Sequence, residues 1–278
     1  MIDLHTHSTC SDGSEAPERV IELAAAANCS AVSLTDHDGL FGNDPAKVRA
    51  DQIGIRFLPG CEVSCTSDAG PIHLLCYFLT DPHGELVALL ERLRLDREIR
   101  NARLVERIVD LGIPLSYEEV RAEAQGPVVG RPHFAAALVR LRVVGSIDEA
   151  FGRYLKSGAP AYVARTPVDP AEVIATARAS QAAVVLAHPL SLGLTPDDLE
   201  DHLSGLADAG LTGLEAHYGR YDPATRESLV GLSRRHGLVA TGGSDFHGTF
   251  RPDLAVGTGT GDLEVPDSCL DELIARVL

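Results

Sequence analysis

An α/β fold interrupted by a helical segment is predicted by three features of the sequence. Short apolar runs alternate with helical patterns in the N-terminal part of the chain, and the same alternation returns in the C-terminal part. Between these parts, from residue 82 to residue 165, only amphipathic helical patterns occur. Strand–helix alternation favours parallel pairing of the strands. We therefore expect one α/β body, formed by residues 1–81 and 166–278, that carries a helical insertion at 82–165.

The N-terminal part is expected to begin with a short strand, because Met1, Ile2 and Leu4 are apolar. A helical pattern follows at 17–27. Strand-like apolar runs then occur at 31–34, 55–58, 61–66 and 72–78.

In the insertion, a long amphipathic pattern over 82–110 predicts a helix, with apolar residues such as Leu86, Leu89 and Leu93 on one face. Shorter helices are predicted at 117–124, 132–141 and 147–155. The C-terminal part has strand-like runs at 184–186, 213–215 and 238–241. Helices are predicted near 196–209, 223–236 and 268–277.

Composition limits the possible functions of this chain of 278 residues. Its 45% hydrophobic and 23% charged content is ordinary for a globular protein with a substantial core. A formal charge of −16 argues against binding nucleic acid through a broad basic surface, although bound cations still permit phosphate substrates. Six cysteines without a secretory leader pattern favour reduced thiols in a cytoplasmic protein. No apolar run approaches the roughly 20 residues of a membrane span, so no membrane partner is expected.

The segment Asp3-Leu4-His5-Thr6-His7, followed by Asp12, gives the first indication of chemistry. Residues i and i+2 of an extended segment point to the same side, so the imidazoles of His5 and His7 can face one point. Imidazole is the commonest protein ligand for transition metals. The pair therefore indicates a metal site where the first strand ends.

Further candidate ligands follow other apolar runs or begin a helix. Seven of the 11 histidines occur in such contexts, together with three carboxylates. If the parallel strands form a barrel, their carboxyl ends meet on one face, where barrel enzymes place their chemistry. Mixed imidazole and carboxylate ligation suits Zn, Mn or Fe, and there are more ligands than a single ion can use. The candidates are His5, His7, Asp12, His37, Glu62, His73, His133, His188, Asp245 and His247.

All of these candidates except His188 belong to a motif series: His5-x-His7, Asp12, Thr35-Asp36-His37, Gly60-x-Glu62, His73, Arg131-Pro132-His133 and Gly243-Ser244-Asp245-Phe246-His247. This series resembles that of the PHP (polymerase and histidinol phosphatase) superfamily, and the resemblance covers essentially the whole chain. It implies a distorted (β/α)7 TIM-like barrel with a trinuclear metal site. The insertion, with Gly130-Arg131-Pro132-His133 and Tyr154-Leu155-x-x-Gly158-x-Pro160-x-Tyr162-Val163, resembles one branch of that superfamily. This branch contains nucleoside 3′,5′-bisphosphate phosphatases, AMP-binding phosphoesterases and the TrpH/RNase AM 5′→3′ exoribonucleases.

The resemblance implies three divalent ions (Mn, Fe or Zn) and nine ligands. One ion is expected to be held by His5, His7, Glu62 and Asp245. A second is expected at Glu62, His73 and His133, and a third at Asp12, His37 and His247. We expect a hydroxide bridging two ions to attack a phosphoester in line, without a covalent enzyme intermediate. The implied substrate is a nucleoside 3′,5′-bisphosphate, an AMP-like nucleotide or a short 5′-phosphorylated RNA, and phosphate is a product.

Three further residues are candidates for catalysis or substrate binding. Arg131 is expected to clamp a phosphate, because guanidinium binds phosphate bidentately and His133 is two residues away. His188, which precedes Pro189 at a strand end, is either a phosphate contact or general acid, or a core histidine. Asp36 is expected to orient a ligating imidazole through a hydrogen bond, or else to cap a turn.

Other polar residues are given weaker roles or none. His217 is a lesser candidate because Glu215-Ala216-His217 ends a strand. The three arginines Arg97, Arg100 and Arg103 are spaced for a second phosphate or an RNA backbone, but a solvated helix face is the favoured interpretation. Surface positions without function are expected for His83, His202 and His236.

Two alternative functions remain at this point, beside a 5′→3′ exoribonuclease acting on longer RNA. A metal-dependent amidohydrolase also begins with His-x-His, but many bridge their ions with a carboxylated lysine, and Lys47 and Lys156 lie in polar helical contexts. A metal-binding regulatory protein without turnover is the other; the complete ligand set argues against it. The sequence leaves the oligomeric state open.

Overall fold

The computed structural model describes residues 1–78, 84–124 and 126–277. Seven strands occur in this part of the chain: β1 (Ile2–Asp3), β2 (Ala31–Leu34), β3 (Arg56–Ser67), β4 (Gly70–Phe78), β5 (Ala182–Leu186), β6 (Gly213–Tyr218) and β7 (Val239–Gly243). The α-helices are α1 (Pro17–Ala26), α2 (Asn43–Ile53), α3 (Glu85–Asp110), α4 (Tyr117–Arg121), α5 (Arg131–Arg140), α6 (Ile147–Ala150), α7 (Pro170–Ala179), α8 (Pro196–Asp208), α9 (Pro223–Arg235) and α10 (Ser268–Val277). A π-helical turn at Phe151–Leu155 continues α6.

The seven strands form one sheet in chain order, which curls until its two edges meet. The N–H of Leu4 donates to the carbonyl of Gly242 at 3.1 Å, and the N–H of Asp245 donates to the carbonyl of His5 at 2.8 Å. These bonds join the residues after β1 to the end of β7 and to the residues that follow it. The predicted fold class, an α/β barrel of seven strands with a helical insertion, is confirmed.

The expectation of parallel pairing is wrong for β4, which runs antiparallel to both β3 and β5. The predicted runs 55–58 and 61–66 are one strand, β3, and only Asp68 and Ala69 separate it from β4. A parallel crossover requires a dozen or more residues, so a two-residue link permits only a hairpin. Glu62 therefore lies within a strand, and not after its end.

Alternation along β4 divides its side chains between the inside of the barrel and the outer helices. Leu75 and Tyr77 pack inside the ring with residues of β1, β5 and β7, whereas Leu74 and Phe78 face the outer helices. His73 shares the inner face with Leu75, because it is two residues away in the strand. The α10 helix packs against the inner core through Leu270 and Leu273 and covers the end of the barrel remote from His73.

The long helix α3 belongs to two cores. Leu86 and Leu93 pack with the outer barrel core, while Leu104 and Ile108 pack with α5 and the π-helical turn in a separate core. A helix of 26 residues spans about 39 Å, enough to connect both. We propose 82–165 as the insertion on this basis; its first boundary lies in 79–83, outside the described residues.

Helix starts follow ordinary capping rules. Asp169, Thr195 and Asp222 each accept a hydrogen bond from a first-turn N–H at the starts of α7, α8 and α9, and each is followed by a proline. The sequence reading missed α2 and α7. In α2 the apolar residues are few and Pro45 is internal, so the periodic signal is weak.

All six cysteines are free in the structure, and five of them are buried. Among the helices of the described residues, none combines the length and the hydropathy that crossing a bilayer requires.

Candidate metal centre

The site lies at the end of the barrel where β1, β2 and β7 finish. His5 and His7 follow β1, and both side chains are fully buried. Thr6 between them points the other way, since its hydroxyl donates to the carbonyl of Ser33 at 2.7 Å. The Nε2 atoms of His5 and His7 are 3.1 Å apart. The structure thus brings the His-x-His pair to one point, as the extended geometry predicts.

The described residues contain three groups of metal-ligating atoms that lie within 4.8 Å of one another. The groups are His5, His7 and Asp245; His7, Asp12, His37 and His247; and His37, Glu62 and His73. Because His7 and His37 each belong to two groups, the three groups form one continuous centre.

Glu62 is the middle of this centre. Its Oε2 lies 3.1 Å from His7 Nε2, 3.3 Å from His37 Nδ1 and 3.4 Å from His5 Nε2. Its Oε1 lies 2.7 Å from His73 Nδ1. A carboxylate whose two oxygens face different imidazoles has the arrangement required to bridge two cations.

Asp12 and Asp245 lie on either side of His247. Asp12 is 3.4 Å from His247 Nε2 and 3.6 Å from His37 Nε2. Asp245 Oδ1 is 3.4 Å from His5 Nε2 and 3.5 Å from His7 Nε2. These distances are longer than charge-assisted hydrogen bonds, which leaves the atoms facing a common space and not locked to one another.

The donor set fits divalent cations. His37 Nδ1 and His247 Nε2 are buried and have no hydrogen-bond partner, although buried polar atoms are normally satisfied. The lone pairs of His5 and His7 also converge at close range. Imidazole nitrogens and carboxylate oxygens together suit Zn, Mn or Fe. A group of cations would satisfy the atoms that protein partners leave unsatisfied.

Electrostatics keep the carboxylates ionised. Burial alone raises the pKa of Glu62, but His37, His73 and His5 outweigh it and hold that pKa well below its usual range. The same balance lowers the pKa of Asp12 through His37 and His247. Each carboxylate is therefore ready to accept a cation near neutral pH.

The imidazoles divide into two classes. Burial lowers the pKa of His7, but Asp245 and Glu62 raise it to about 9. For His37, burial outweighs the effect of Asp12 and lowers the pKa to about 3. His37 is thus neutral near pH 7, whereas His7 would have to release a proton before it could bind a metal.

His133 is buried but belongs to none of the three groups found among the described residues. The N–H of Gly130 donates to its Nδ1 at 2.9 Å, and its ring meets the edge of Phe250 at a centroid distance of 5.5 Å. Gly130 also lies against Asp12, because a Cβ at that glycine would be 3.3 Å from Asp12 Oδ2. His133 therefore borders the centre, and Nε2 is the ring nitrogen through which it could bind a metal.

His188 lies at the centre and not in the apolar core. The ring nitrogen Nε2 is 3.0 Å from Glu62 Oε1, and the other ring nitrogen, Nδ1, is 2.9 Å from Ser191 Oγ. The backbone N–H of His188 donates to Glu215 Oε2 at 2.6 Å. The backbone of His188 has φ of 27°, a strained conformation for a residue with a side chain. The surrounding bonds hold this conformation and aim the imidazole at Glu62.

Arg131 and Asp36 are both near the centre but contact it indirectly. The guanidinium of Arg131 lies 6.0 Å over the ring of Tyr162, and it donates to the carbonyl of Leu155 at 3.4 Å. Asp36 accepts hydrogen bonds from the Ser8 hydroxyl at 2.6 Å and the Ser11 hydroxyl at 2.5 Å. Ser11 Oγ is 3.4 Å from His7 Nδ1, so Asp36 reaches an imidazole only through a serine.

The solvated helix face expected for three arginines is wrong for two of them. Arg97 and Arg100 are 6% and 5% exposed, whereas Arg103 is exposed as expected. The helix buries them because α3 packs between the barrel and the insertion. His202 and His236 are half-buried, and not surface residues as expected, and His83 lies outside the described residues. His217 is half-buried and belongs to none of the groups.

Sequence reasoning missed three residues that support the ligands. Glu215 Oε1 is 2.8 Å from His5 Nδ1. Tyr218 donates its hydroxyl to Asp245 Oδ2 at 2.7 Å, and Arg251 pairs with the same oxygen. A glutamate within the apolar run of β6 was the available signal, because a buried charge requires a partner.

A cleft of about 940 Å³ adjoins the centre between the insertion and the segment after β7. Its lining includes His247, Arg251, Phe250, Phe151 and Pro132. The cleft thus presents aromatic and apolar side chains beside a candidate ligand.

Comparisons with known proteins agree with this geometry. The family model described as PHP domain matches residues 3–124. A 5′-3′ exoribonuclease of Haemophilus influenzae is 31% identical over 245 residues, covering 88% of this chain and 89% of the relative. A 3′,5′-nucleoside bisphosphate phosphatase of Chromobacterium violaceum is 31% identical over 281 residues, covering 100% of this chain and 98% of the relative.

Solved structures resemble the whole chain. A protein assigned as a metal-dependent phosphoesterase from Bifidobacterium adolescentis superposes with a TM-score of 0.88 at 29% identity, over 99% of this chain and 96% of that one. An amidohydrolase from Chromobacterium violaceum, solved with bound sulfate and no metal, gives a TM-score of 0.88 at 30% identity over the same shares.

Proposed function

Because this chain belongs to the PHP domain family and is a metal-dependent phosphoesterase, we propose that it hydrolyses a phosphate ester of a nucleotide at a trinuclear centre. The proposed substrate is a nucleoside 3′,5′-bisphosphate, an AMP-like nucleotide or a short 5′-phosphorylated RNA. The observation that carries the proposal is the continuous set of donor atoms around Glu62.

We assign the ligands to three ions as the family resemblance implies. His5, His7, Glu62 and Asp245 would hold one ion, and Asp12, His37 and His247 another. Glu62, with His73 and His133, would hold the third. The 2.7 Å contact between Glu62 and His73 supports the pairing of these two. His133 would complete this set through Nε2, because its Nδ1 already accepts the N–H of Gly130.

Divalent ions bound there lower the pKa of water to near neutrality and neutralise the oxygens of a phosphoryl group. The protein groups orient the rest of the reaction. The pKa values of Glu62 and Asp245 are lowered, so both carboxylates are ionised and would hold cations near neutral pH. We assign His188 Nε2 to contact the phosphoryl group or to give a proton to the leaving oxygen, and its distance of 3.0 Å from Glu62 Oε1 supports this assignment.

The groups around the centre provide for a nucleotide. We assign Arg131 to clamp a phosphate bidentately, because it follows Gly130, which lies against Asp12. The cleft beside His247 has Phe250 and Phe151 on its walls and is large enough for a nucleoside. Stacking of a base on such rings contributes roughly 1–3 kcal/mol.

Hydrolysis of longer RNA in the 5′→3′ direction is the second candidate, favoured by the similarity to exoribonucleases. An amidohydrolase with a carboxylated lysine is disfavoured. Lys47 is exposed and paired with Asp51 at 2.5 Å, Lys156 is exposed, and Glu62 has the position of a bridging ligand.

The test is a direct comparison of adenosine 3′,5′-bisphosphate, AMP and a short 5′-phosphorylated RNA, with protein loaded in turn with Mn, Fe and Zn. We expect release of phosphate or mononucleotide from at least one substrate, abolished by chelation and by Glu62→Gln. Absence of turnover with every ion, or turnover that survives Glu62→Gln, would reject the proposal. Mononucleotide release from RNA exceeding phosphate release from the bisphosphate would favour the second candidate.

A further inference from the structure

Strand β6 contains an irregularity that brings its last residue to the metal centre. Thr241 and Gly242 are neighbours in β7. Their partners in β6 are Glu215 and His217, which are separated by one further residue. An extra residue of this kind, a β-bulge, inverts the alternation of side chains along the rest of the strand. Glu215 before the bulge and Tyr218 after it therefore face the same side of the sheet, although they are three residues apart.

Contacts on the two sides of the sheet show this inversion. Ala216 packs in the outer barrel core, and a regular strand would place Tyr218 on the same outer face. The Tyr218 hydroxyl instead donates to Asp245 Oδ2 at 2.7 Å. The absence of a side chain at Gly242 permits the bulge, because a Cβ there would lie 2.3 Å from the carbonyl oxygen of His217.

The side chain of Tyr218 is held firmly in this position. It is 7% exposed, and its ring centroid lies 4.8 Å from that of Tyr221 and 5.8 Å from that of His188. A phenol carries its proton at neutral pH, so its hydroxyl can donate to a carboxylate. The packing of the ring therefore fixes a hydrogen-bond donor beside Asp245.

The two carboxylate oxygens of Asp245 have different surroundings. Its Oδ1 lies 3.4 Å from His5 Nε2 and 3.5 Å from His7 Nε2. Its Oδ2 accepts from Tyr218 and pairs with Arg251. One oxygen thus faces the candidate ligands, while the other is engaged by two donors of the protein.

The backbone of Asp245 also has to be held in place. Its φ is 55°, a left-handed conformation that residues with a side chain seldom adopt. Such conformations persist where the surrounding contacts enforce them. The hydrogen bond from Tyr218 is one of these contacts, and it opposes rotation of the carboxylate.

We propose that Tyr218 is a positioning residue of the metal centre: it holds Oδ2 of Asp245 so that Oδ1 is the oxygen offered to a cation. Tyr218 acts through Asp245 and contacts no cation itself. Because Arg251 holds the same oxygen, removal of the Tyr218 hydroxyl should loosen the carboxylate without releasing it. This inference rests on cation binding at the centre, which is part of the proposed function, but not on the substrate or on hydrolysis.

The test is a titration of metal-free protein with Co²⁺ at constant pH, followed by the visible absorption of the bound ion. This absorption reports the geometry and the ligand atoms around the cation. Tyr218→Phe removes only the hydroxyl. Tyr221→Phe is the matched control, because the hydroxyl of this neighbouring tyrosine accepts the N–H of Leu190 at 2.9 Å.

We expect Tyr218→Phe to weaken Co²⁺ binding roughly 10–100-fold, the range for residues that orient a metal ligand, and to change the absorption spectrum. Tyr221→Phe should change neither. Each variant loses one hydroxyl group, so we expect similar small shifts in the midpoint of urea unfolding. A difference in Co²⁺ affinity at equal stability then reports positioning and not folding.

Unchanged affinity and spectrum in Tyr218→Phe, or the same changes in both variants, would overturn the inference. Failure of the unmodified protein to bind Co²⁺ would overturn it as well. If Co²⁺ binding depends on Tyr218 but no nucleotide is hydrolysed with any ion, the proposed function fails and the positioning role of Tyr218 stands.

Discussion

Glu215 fixes the orientation of His5: its Oε1 lies 2.8 Å from His5 Nδ1, and both side chains are fully buried. The other nitrogen of His5 is thereby turned toward His7 and the carboxylates. The second oxygen of Glu215 accepts the N–H of His188 at 2.6 Å. One carboxylate thus positions both a candidate ligand and a candidate substrate contact, without facing the metal positions itself.

We predict that Glu215→Gln weakens metal binding by roughly 10–100-fold, the range for carboxylates that orient a ligating imidazole. The amide has the same volume as the carboxylate, but it makes His5 less basic. It also no longer fixes the proton of His5 on Nδ1, so the tautomer with the proton on Nε2 becomes accessible. Metal content after dialysis against a graded chelator measures the effect, and Glu227→Gln, on the exposed side of α9, is the control. Equal metal affinity in the two variants would show that Glu215 has no positioning role.

Glu62→Gln is expected to reduce both metal content and activity. The reduction should exceed roughly 100-fold, the upper range for residues that only hydrogen-bond to a metal ligand. The reason is that Glu62 faces His7, His37 and His73 together. Elemental analysis of purified protein, followed by activity with the best substrate, provides the measurement. Full metal content with normal turnover would show that the bridging arrangement is irrelevant.

Metal affinity should rise with pH up to about 9. His7 in the metal-free protein has a pKa raised to about 9, so a proton competes with the cation below that value. His37, whose pKa is lowered to about 3, is already neutral and adds no dependence above pH 5. Competition titrations at pH 6, 7, 8 and 9 check this, and an affinity that is constant over the range contradicts it.

The same pKa also sets a stability trend in metal-free protein. The pKa of His7 in the folded protein is higher than the value of about 6.5 expected in the unfolded chain. Protonated His7 therefore adds to the free energy of unfolding; this stabilisation is complete below pH 6.5 and is lost as the pH rises toward 9. Saturating metal should abolish this loss. Urea denaturation across the range, with and without metal, separates the two conditions.

Asp38→Asn should destabilise the fold by about 3–5 kcal/mol, the cost of removing one partner of a buried ion pair. Arg97 and Arg165 both lose the carboxylate to which they donate, while both guanidinium groups keep their charge. Asparagine tolerates the φ of 49° at this position, so the substitution isolates the charge from backbone strain. Denaturant titration compares it with Asp201→Asn on the exposed face of α8, which should be neutral.

Gly243→Ala should open the barrel between its first and last strands. A Cβ at Gly243 would lie 2.3 Å from the backbone nitrogen of His5, too close for any rotamer change to relieve. We expect the free energy of unfolding to fall by about 1–3 kcal/mol. Metal content should fall as well, because His5 is displaced. Gly152→Ala is the control, because nothing lies within 4 Å of a Cβ there. Thermal unfolding and elemental analysis of both variants decide the matter.

The sequence predicted the elements that local pattern determines. His5 and His7 were recognised because i, i+2 spacing needs only an extended backbone, and β5, β6 and α10 were recognised from their apolar periodicity. The pairing direction of β4 was not predicted, because it depends on the short link at Asp68 and Ala69, which alternation does not reveal. Helix α2 was missed because its face is only weakly apolar.

The site could be predicted in its residue types and not in its supporting contacts. Arg97 and Arg100 have the spacing of a solvated face, and only the packing of α3 between two cores buries them. Glu215 lies 210 positions from His5 in sequence, so no local pattern connects them. Asp36 acts through Ser11 for the same reason: hydrogen bonds between loops depend on the assembled barrel.

The closure of the barrel has a consequence for synthesis of the protein. His5 is synthesised long before Val239–Gly243, the strand that completes its surroundings. In the growing chain the histidines and carboxylates of the centre are therefore not yet in contact with one another. The set of candidate ligands is complete only after β7 and the residues that follow it have been made, so an incomplete copy that ends before β7 lacks both Asp245 and His247.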